Sequence, residues 1–159
     1  MDQTDRLIAI EEIKALKARY FYGYDTKDWE LWRSEVWAPD GHLEIHDRGV
    51  TVGPRDAMIE WVMAQSRDQV TVHHGTMPMI DITSDTTATG IWAMEDLVWR
   101  SLKNPNHDDV HFVHGWGHYH EKYVNTGSGW RILSTRLTRI RAEYHSVNGG
   151  VSVSGLPYQ

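Results

Sequence analysis

The chain has no cysteine and only 2 phenylalanines among its 159 residues. Without cysteine it can form no disulfide, zinc–thiolate site or iron–sulfur cluster, and it offers no thiol nucleophile. No apolar run approaches the roughly 20 residues that a membrane-spanning helix needs. The acidic N-terminal segment MDQTDRLIAI lacks the basic and apolar regions of a secretory signal. We therefore expect a cytoplasmic protein with no membrane partner.

Positive charge is also scarce, because 16 lysines and arginines stand against 22 aspartates and glutamates, for a formal net charge of -6. A nucleic-acid-binding surface needs an excess of basic residues to displace counterions from the phosphate backbone. No nucleic-acid partner is therefore expected. The length fits a single domain, and a chain of this size can bury about 68–70% of its extended surface without a structural metal.

Tryptophan and tyrosine are abundant instead, with 8 and 7 residues, and 10 histidines accompany them. Their side chains combine apolar surface with an N–H or O–H group that needs a partner when it is buried. This composition suits two arrangements equally. One is a cavity that holds an apolar molecule through a few polar contacts; the other is a tryptophan-rich core with its polar edges at the surface.

The first part of the chain has the pattern of helices. Apolar residues recur every three or four positions over 5–24, which predicts a long amphipathic helix. A short second helix is predicted over 28–36, because Asp28 can cap its free N–H groups. A Pro-Asp-Gly turn at 39–41 should end this helix, and a short strand should follow at 42–46.

A third helix is predicted after Gly53, with Pro54 in its first helical position. Its buried stripe is expected to consist of Ala57, Met58, Trp61 and Val62. Residues 146–159 form a Gly/Ser-rich tail with an apolar end at 156–158, which we expect to be frayed or folded across an opening. The domain itself is therefore assigned to residues 1–145.

Beyond the third helix the apolar residues alternate, which is the period of a strand. Four long strands are predicted, at 70–83, 87–100, 110–124 and 130–144. The segments between them, including the Asn-Pro-Asn turn at 104–106, are short enough for consecutive antiparallel pairing. Helices followed by such a meander predict an α+β fold in which a curved sheet wraps the long helix.

Asp25 follows directly on the long helix, where the unpaired carbonyls disfavour a carboxylate by about 0.3–1 kcal/mol. A residue that violates a local preference is a candidate functional residue, although an Asx turn between the two helices would also explain it.

His73 and His74 begin the first long strand and must point to opposite faces. At most one can enter a cavity, where a carboxylate partner would make it a general base without any cofactor.

A second group of histidines lies on the third long strand. Alternation places His114, Trp116, His118 and His120 on one face. The spacing of His118 and His120 would suit a metal chelate, but no glutamate follows at the distance seen in metal-binding cupin barrels, so no metal is expected. A subunit contact made by imidazoles, or one imidazole in the cavity, is favoured.

Asp96 shares a strand face with Trp92, Met94 and Val98. An acid among apolar side chains on an inward face is costly unless it is paired, hydrogen-bonded or protonated. Asp96 is therefore either a site residue or half of a buried ion pair with an arginine of the last strand, Arg136 or Arg139.

Several short motifs occur in order along the chain. They are Tyr20 with Asp25, Asp28-Trp29, Ala38-Pro39-Asp40-Gly41, His73-His74-Gly75, Gly117-His118-Tyr119-His120-Glu121 with Tyr123, and Gly129-Trp130-Arg131-Ile132. In this order they resemble a SnoaL-like protein of the NTF2-like superfamily, over about residues 5–143. The resemblance implies a cone-shaped α+β barrel with a pocket between the curved sheet and the first helices.

That superfamily includes dehydratases, a dehydrochlorinase, ketosteroid isomerase, polyketide cyclases and non-catalytic binding proteins. Its dehydratase and dehydrochlorinase branches use an Asp–His dyad, which the resemblance places on Asp25 and His73. It also implies a helix tyrosine at Tyr20, a strand aspartate at Asp96 and an arginine near Arg136. Counted from Trp130, the dehydrochlorinase arginine position holds Thr135 here, so a bulge or Arg139 would have to supply that cation. Tyr20 replaces the dehydrochlorinase lysine, which favours dehydration or isomerisation over halide loss.

The sequence and the resemblance together predict a cofactor-independent lyase, in first place a dehydratase, for a small hydrophobic cyclic or polycyclic substrate. His73 is expected to remove a proton, with Asp25 orienting its imidazole. Tyr20 or Tyr24 is expected to donate to the departing hydroxyl or to an enolate. An isomerase, a cyclase and a non-catalytic binding protein are the alternatives.

Asp96 and Arg136 are expected to position the polar end of the substrate. The pocket walls are predicted to include Trp61, Trp92, Met94, Val98, Trp116 and His118. The outer face of the sheet carries an apolar set that a monomer rarely leaves exposed, namely Ile91, Ala93, Leu97 and Trp99. We therefore expect a homo-oligomer, a dimer or a trimer.

Overall fold

The structure, a computed structural model, describes residues 1–101 and 109–155. Its helical segments are α1 (Gln3–Thr26), α2 (Trp29–Leu31), a π-helical turn (Trp32–Val36), a 3-10 turn (His46–Arg48) and α3 (Arg55–Ser66). Its strands are β1 (Trp37–Ile45), β2 (Val50–Val52), β3 (Gln69–Ile82), β4 (Thr87–Arg100), β5 (Val110–Asn125), β6 (Trp130–Ser146) and β7 (Val151–Gly155). The predicted turn at 104–106 and the apolar end of the tail at 156–158 lie outside the described residues.

Strands β3 to β6 form the predicted antiparallel meander in chain order. Strand β1 joins it in parallel beside β6, so that the sheet described here has the order β2-β1-β6-β5-β4-β3. The curved sheet remains open, and α1 packs against β3 and β6 while α3 packs against β1. The predicted α+β cone fold is confirmed, with helices rather than further strand pairing covering the inner face.

Helix α1 is longer than predicted because a capping box fixes its start. Asp2 accepts a hydrogen bond from the Asp5 backbone at 2.8 Å, and Asp5 accepts one from Asp2. The helix ends at Lys27, which has a left-handed backbone with φ 62°. Its buried face recurs every three or four residues, at Ala9, Ile13, Leu16 and Tyr20. Asp25 is thereby carried in the last turn, beside β3.

Three local predictions were wrong. Residues 39–41 form no turn but continue β1, whose pairing shifts between Trp37 opposite Ile132 and His42 opposite Ser134. The parallel ladder absorbs the extra residues as an irregularity, so that no chain reversal is needed. Pro54 caps α3 from outside the helix, and Ala57 is exposed while Ile59 is buried in its place.

Several of the buried polar edges of the aromatic residues find partners. Trp32 stacks on Tyr20 at 4.9 Å between ring centroids and donates its indole N–H to the Tyr20 carbonyl at 2.8 Å. Glu121 is fully buried and accepts hydrogen bonds from Lys17 at 2.6 Å and from the Tyr123 hydroxyl. A tryptophan-rich core and a cavity therefore coexist in this fold.

The tail is neither frayed nor folded over an opening in its described part. Residues 151–155 form β7, which pairs with β6 from Val151 opposite His145 to Gly155 opposite Arg141. The sheet thus continues beyond the boundary predicted at residue 145. None of the helices in residues 1–101 and 109–155 is long and apolar enough to cross a membrane.

Candidate active site

A cavity of about 340 Å³ lies between α1, α3 and the inner face of the sheet. Of the predicted site residues, six line it: Tyr20, Tyr24, Trp61, His73, Asp96 and Val98. Other lining residues are polar or charged, and of these only Arg139 was considered from the sequence, as an alternative to Arg136: Arg48, Gln65, Gln69, Arg100, Tyr119, Arg139 and Tyr144. The apolar remainder of the wall comprises Leu43, Ile45, Val113 and Leu137.

Asp25 and His73 meet at the wall of this cavity, 48 positions apart in the chain. The Asp25 Oδ1 atom lies 2.6 Å from His73 Nδ1, and the backbone N–H of His73 donates to Oδ2 at 2.9 Å. Because the carboxylate accepts the proton on Nδ1, the other ring nitrogen, Nε2, is left free to accept a proton. The pair has the geometry of a general base with its orienting carboxylate.

Two further side chains fix Asp25. The Thr71 hydroxyl donates to Asp25 Oδ1 at 2.8 Å, and Lys27 Nζ donates to the Thr71 hydroxyl at 3.0 Å. Thr71 and His73 point the same way because they are two residues apart on β3. Burial opposes ionisation of Asp25, but the hydrogen bonds and charge of His73, with Thr71, outweigh it and hold the pKa of Asp25 below its ordinary value.

The imidazole of His73 is almost enclosed, with 9% of its side chain exposed. Tyr24 packs edge-on against it at 4.6 Å between ring centroids, and Phe21 stacks parallel to it at 6.4 Å. His74 points to the opposite face, where it is 57% exposed and lies 3.5 Å from Glu95. Of the two adjacent histidines, the structure therefore brings His73 to the cavity.

Two tyrosines supply hydroxyl groups to the same cavity. Burial, and next the charge of Glu121, raise the pKa of Tyr20 well above its ordinary value. Burial, and next the charge of Asp96, raise the pKa of Tyr24 to about 12. Both hydroxyls therefore remain protonated at neutral pH, as hydrogen-bond donors.

Asp96 is held by Arg139 rather than by Arg136. The guanidinium of Arg139 donates to both carboxylate oxygens, at 2.8 and 2.5 Å, and the two side chains are 10% and 4% exposed. Burial opposes ionisation of Asp96, but Arg139 holds the pKa of this carboxyl below its ordinary value. This pair forms a charged wall of the cavity.

Arg136 lies on the outside, where it donates to Glu44 at 3.1 Å. The reason is a bulge in β6: Lys122 pairs with Ser134 but Tyr123 pairs with Ile132, so that Leu133 is an extra residue. An extra residue reverses which side chains face inward. The assignment of Arg136 to the substrate site was therefore wrong.

Four predicted wall residues lie elsewhere. Trp116 and His118 are on the outer face of β5, since Tyr119 and Glu121 of that strand are the buried ones. Trp92 and Met94 do face inward, but they are buried in the core, where the Trp92 indole donates to the Tyr123 hydroxyl at 2.8 Å. Among the described residues, no group of three histidine or carboxylate side chains is arranged to hold a metal ion.

The sequence alone did not predict Arg48 and Arg100 at the cavity. Arg139 was an alternative to Arg136 as the cation of the site, but the bulge that turns it inward leaves no mark in the alternation of residue types. Arg100 is the last residue of β4, and Arg48 lies on the 3-10 turn that follows β1. Charged side chains at such positions are ordinarily solvated. The sequence did contain a signal for Tyr119, because alternation along β5 places it on the same face as Glu121 and Tyr123, opposite to the face of Trp116.

The family model of the SnoaL-like domain matches residues 5–136. The chain belongs to the SnoaL-like family. Its predicted family is therefore confirmed, and the cavity between α1 and the sheet is the pocket that this membership led us to expect.

This SnoaL-like chain is similar to solved structures of proteins that have been given different activities or none. A candidate scytalone dehydratase from Novosphingobium aromaticivorans is 17% identical with a TM-score of 0.79, covering 94% of this chain and 95% of that one. A hexachlorocyclohexane dehydrochlorinase from Novosphingobium barchaimii is 17% identical with a TM-score of 0.75, covering 94% and 97%. Rv3472 from Mycobacterium tuberculosis, a protein of unknown function, is 26% identical with a TM-score of 0.69, covering 84% and 77%.

Proposed function

We propose that the protein is a cofactor-independent lyase, a dehydratase of a hydrophobic cyclic or polycyclic substrate, with His73 as its general base. The observation that carries this proposal is the 2.6 Å contact between Asp25 and His73 at the wall of a cavity. A non-catalytic binding protein would have no need for a half-buried carboxylate aligned on an imidazole, with Thr71 and Lys27 behind it.

The step begins when His73 Nε2 takes a proton from a carbon next to a carbonyl group of the substrate. The C–H electron pair forms the new double bond by way of an enolate, and the hydroxyl on the neighbouring carbon leaves. The imidazolium proton passes to this oxygen, so that water departs and the enzyme returns to its starting state. Asp25 stabilises the imidazolium, and Tyr20 or Tyr24 donates a hydrogen bond to the enolate or the departing oxygen.

The substrate class follows from the cavity wall. Its apolar part is formed by Leu43, Ile45, Trp61, Val98, Val113 and Leu137. A volume of about 340 Å³ suits a molecule of one to three rings. Asp96 and Arg139 present a polar pair to one end of that molecule.

The similar structures support elimination chemistry on this fold. One is named as a candidate scytalone dehydratase and another is a dehydrochlorinase. General base catalysis contributes typically about 10²–10⁴-fold, so the dyad accounts for part of an efficient reaction. Orientation of the substrate in a cavity shielded from water supplies the rest.

An isomerase on the same site is the second candidate. Tyr20 and Tyr119 both line the cavity with ring centroids 5.9 Å apart, and burial raises the pKa of both well above its ordinary value. Two protonated tyrosines lining the same cavity could stabilise an enolate while His73 returns the proton to another carbon. The mass of the product separates the two candidates, because only the dehydratase removes water.

The proposal also covers the oligomeric state of the protein and its location in the cell. Trp99 is 42% exposed on the outer face of β4, opposite Val70, which is 67% exposed. We infer that this face joins copies of the chain into a cytoplasmic dimer or trimer. Sedimentation as a monomer at micromolar concentration would contradict the oligomer.

The test of activity is a panel of cyclic β-hydroxy ketones incubated with the protein and analysed by mass spectrometry. The expected result is a product lighter by one water, with His73→Ala at least about a hundredfold slower. His74→Ala is the matched control, since this neighbouring imidazole faces outward. Equal rates for His73→Ala and the wild type would refute the role of the dyad.

A further inference from the structure

The ionisable residues that line the cavity are unequal in charge. Three arginines, Arg48, Arg100 and Arg139, face it together with one aspartate, Asp96. The chain as a whole has the opposite balance, with a formal net charge of -6. A cavity whose lining differs in sign from the rest of the protein attracts ligands of the complementary charge.

Only one of the three arginines is neutralised. Asp96 holds Arg139 through two hydrogen bonds, and the Asp47 carboxylate lies 3.9 Å from its Nε atom. Arg48 and Arg100, by contrast, make no ion pair with any residue of 1–101 or 109–155. Two cations of the cavity are therefore available to a ligand.

Arg100 bears the stronger mark of a missing partner. Its Nε atom is buried and has no hydrogen-bond partner among the described residues. A buried guanidinium N–H without an acceptor is costly, because it loses hydration without gaining a hydrogen bond. Burial, and next the positive charge of Arg48, lower the pKa of Arg100, so the two cations lie close enough to repel each other. An anion between them would relieve both costs.

The position of Arg100 relative to the dyad defines where such an anion would lie. His73 pairs across the sheet with Asp96, and Gln69 pairs with Arg100. Asp96 and Arg100 are four residues apart on β4, so these two residue pairs lie about 13 Å from each other along the strand. Arg48, on the 3-10 turn, is exposed and lines the same cavity. Arg100 is thus separated from the dyad along the sheet, and Arg48 lies at an exposed part of the cavity wall.

We infer that Arg48 and Arg100 bind an anionic group, a carboxylate, on the substrate of this cavity. This inference rests on the proposed function, and it narrows the substrate class to an amphipathic cyclic acid. Its rings occupy the apolar interior, and its carboxylate lies at the end remote from the carbon that loses the proton. A guanidinium pairs with a carboxylate through two parallel hydrogen bonds, which fixes orientation as well as affinity.

The test measures binding rather than turnover. Naphthoate and naphthylmethanol have nearly the same shape and differ in charge, so calorimetric titration of the full chain with each isolates the effect of the anion. We expect naphthoate to bind roughly tenfold or more tightly, and the preference to be lost in the double variant Arg48→Gln/Arg100→Gln. Arg136→Gln removes one arginine charge outside the cavity and should retain the preference.

Equal affinities of the wild type for the two probes would overturn the inference. So would a preference that survives in the double variant, or no binding of naphthoate at about 1 mM. Repeating the titration with His73→Ala separates the two proposals, because the anion preference should persist without the base. If the preference is found but no hydroxy acid is dehydrated, the anion site stands and the dehydratase fails.

Discussion

The hydroxyl of Thr71 donates to the Oδ1 atom of Asp25 at 2.8 Å, the same oxygen that contacts the imidazole of His73 at 2.6 Å. One oxygen therefore accepts from two side chains of β3, while the other accepts from the β3 backbone. The carboxylate at the end of α1 is thus fixed in position by a single strand. This arrangement makes Thr71 a positioning residue that has no need to touch the substrate.

Replacing Thr71 by valine keeps the shape of the side chain and removes the donor. We expect kcat to fall about tenfold because Asp25 loses one of the hydrogen bonds that align it. The pKa of Asp25 should rise, which moves the acidic limb of the rate profile to higher pH. Thr71→Ser should restore both properties, and Thr76→Val, on the exposed face of β3, is the matched control. An unchanged pH profile in Thr71→Val would show that the hydroxyl does not position the carboxylate.

The meander could be predicted to within a few residues because period-two alternation and short turns leave little freedom. It was harder to predict which side chains of each strand face the cavity. The bulge at Leu133 reverses the parity of β6, so Arg139 rather than Arg136 reaches the cavity. On β5 the alternation defined two faces correctly, but Trp116 and Tyr119 are both aromatic and composition does not say which one points inward.

The dyad was predictable for a different reason. Asp25 violates a local preference at the end of α1, and the family resemblance supplied His73 as its partner. The geometry that joins them depends on α1 crossing β3, a tertiary contact with no local signal. The same holds for the buried pair of Lys17 and Glu121, which lie 104 positions apart.

Loss of the Asp96 carboxylate should be severe. In Asp96→Asn the guanidinium of Arg139 stays buried with only the Asp47 carboxylate, 3.9 Å from its Nε atom, as a counter-charge, so we expect the free energy of unfolding to fall by about 3–5 kcal/mol. Glu44→Gln is the control, because it breaks an exposed arginine pair, with Arg136, and such pairs contribute at most about 1 kcal/mol. Urea denaturation of both variants measures the difference, and similar losses in the two would contradict a buried pair.

Acid should destabilise the protein through Asp25 and Asp96. The pKa of each carboxyl is lower in the folded chain than its ordinary value of about 3.9. Their contribution to stability is therefore complete above that value and is lost as the pH falls through the folded pKa. Urea midpoints measured from about pH 5 downward should decline less steeply for Asp25→Asn than for the wild type. Parallel curves would mean that the pairing of Asp25 with His73 does not persist in solution.

Tyr24 allows a test of the proposed donor. In Tyr24→Phe the ring that packs on His73 remains and only the hydroxyl is lost, so the fold should be retained while kcat falls by about tenfold to a hundredfold. Since the pKa of Tyr24 is raised to about 12, its ionisation should not limit the rate at any pH up to about 10. Tyr22→Phe, on the same helix but 63% exposed, is the control. Equal turnover in the two variants would assign the donor role to Tyr20 alone.

Gly115 sets the room available to the charged wall of the cavity. A Cβ atom built on this residue would clash with Arg139 Nη1 and with Asp96 Oδ1, so the ion pair must move to make room. We therefore expect Gly115→Ala to displace the ion pair, to raise KM more than it lowers kcat, and to destabilise the chain by about 1–3 kcal/mol. Gly150→Ala, in the exposed turn before β7, should leave KM, kcat and the stability of the chain unchanged. If Gly115→Ala binds and turns over substrate normally, then the pair of Asp96 and Arg139 does not contact the substrate in the way proposed.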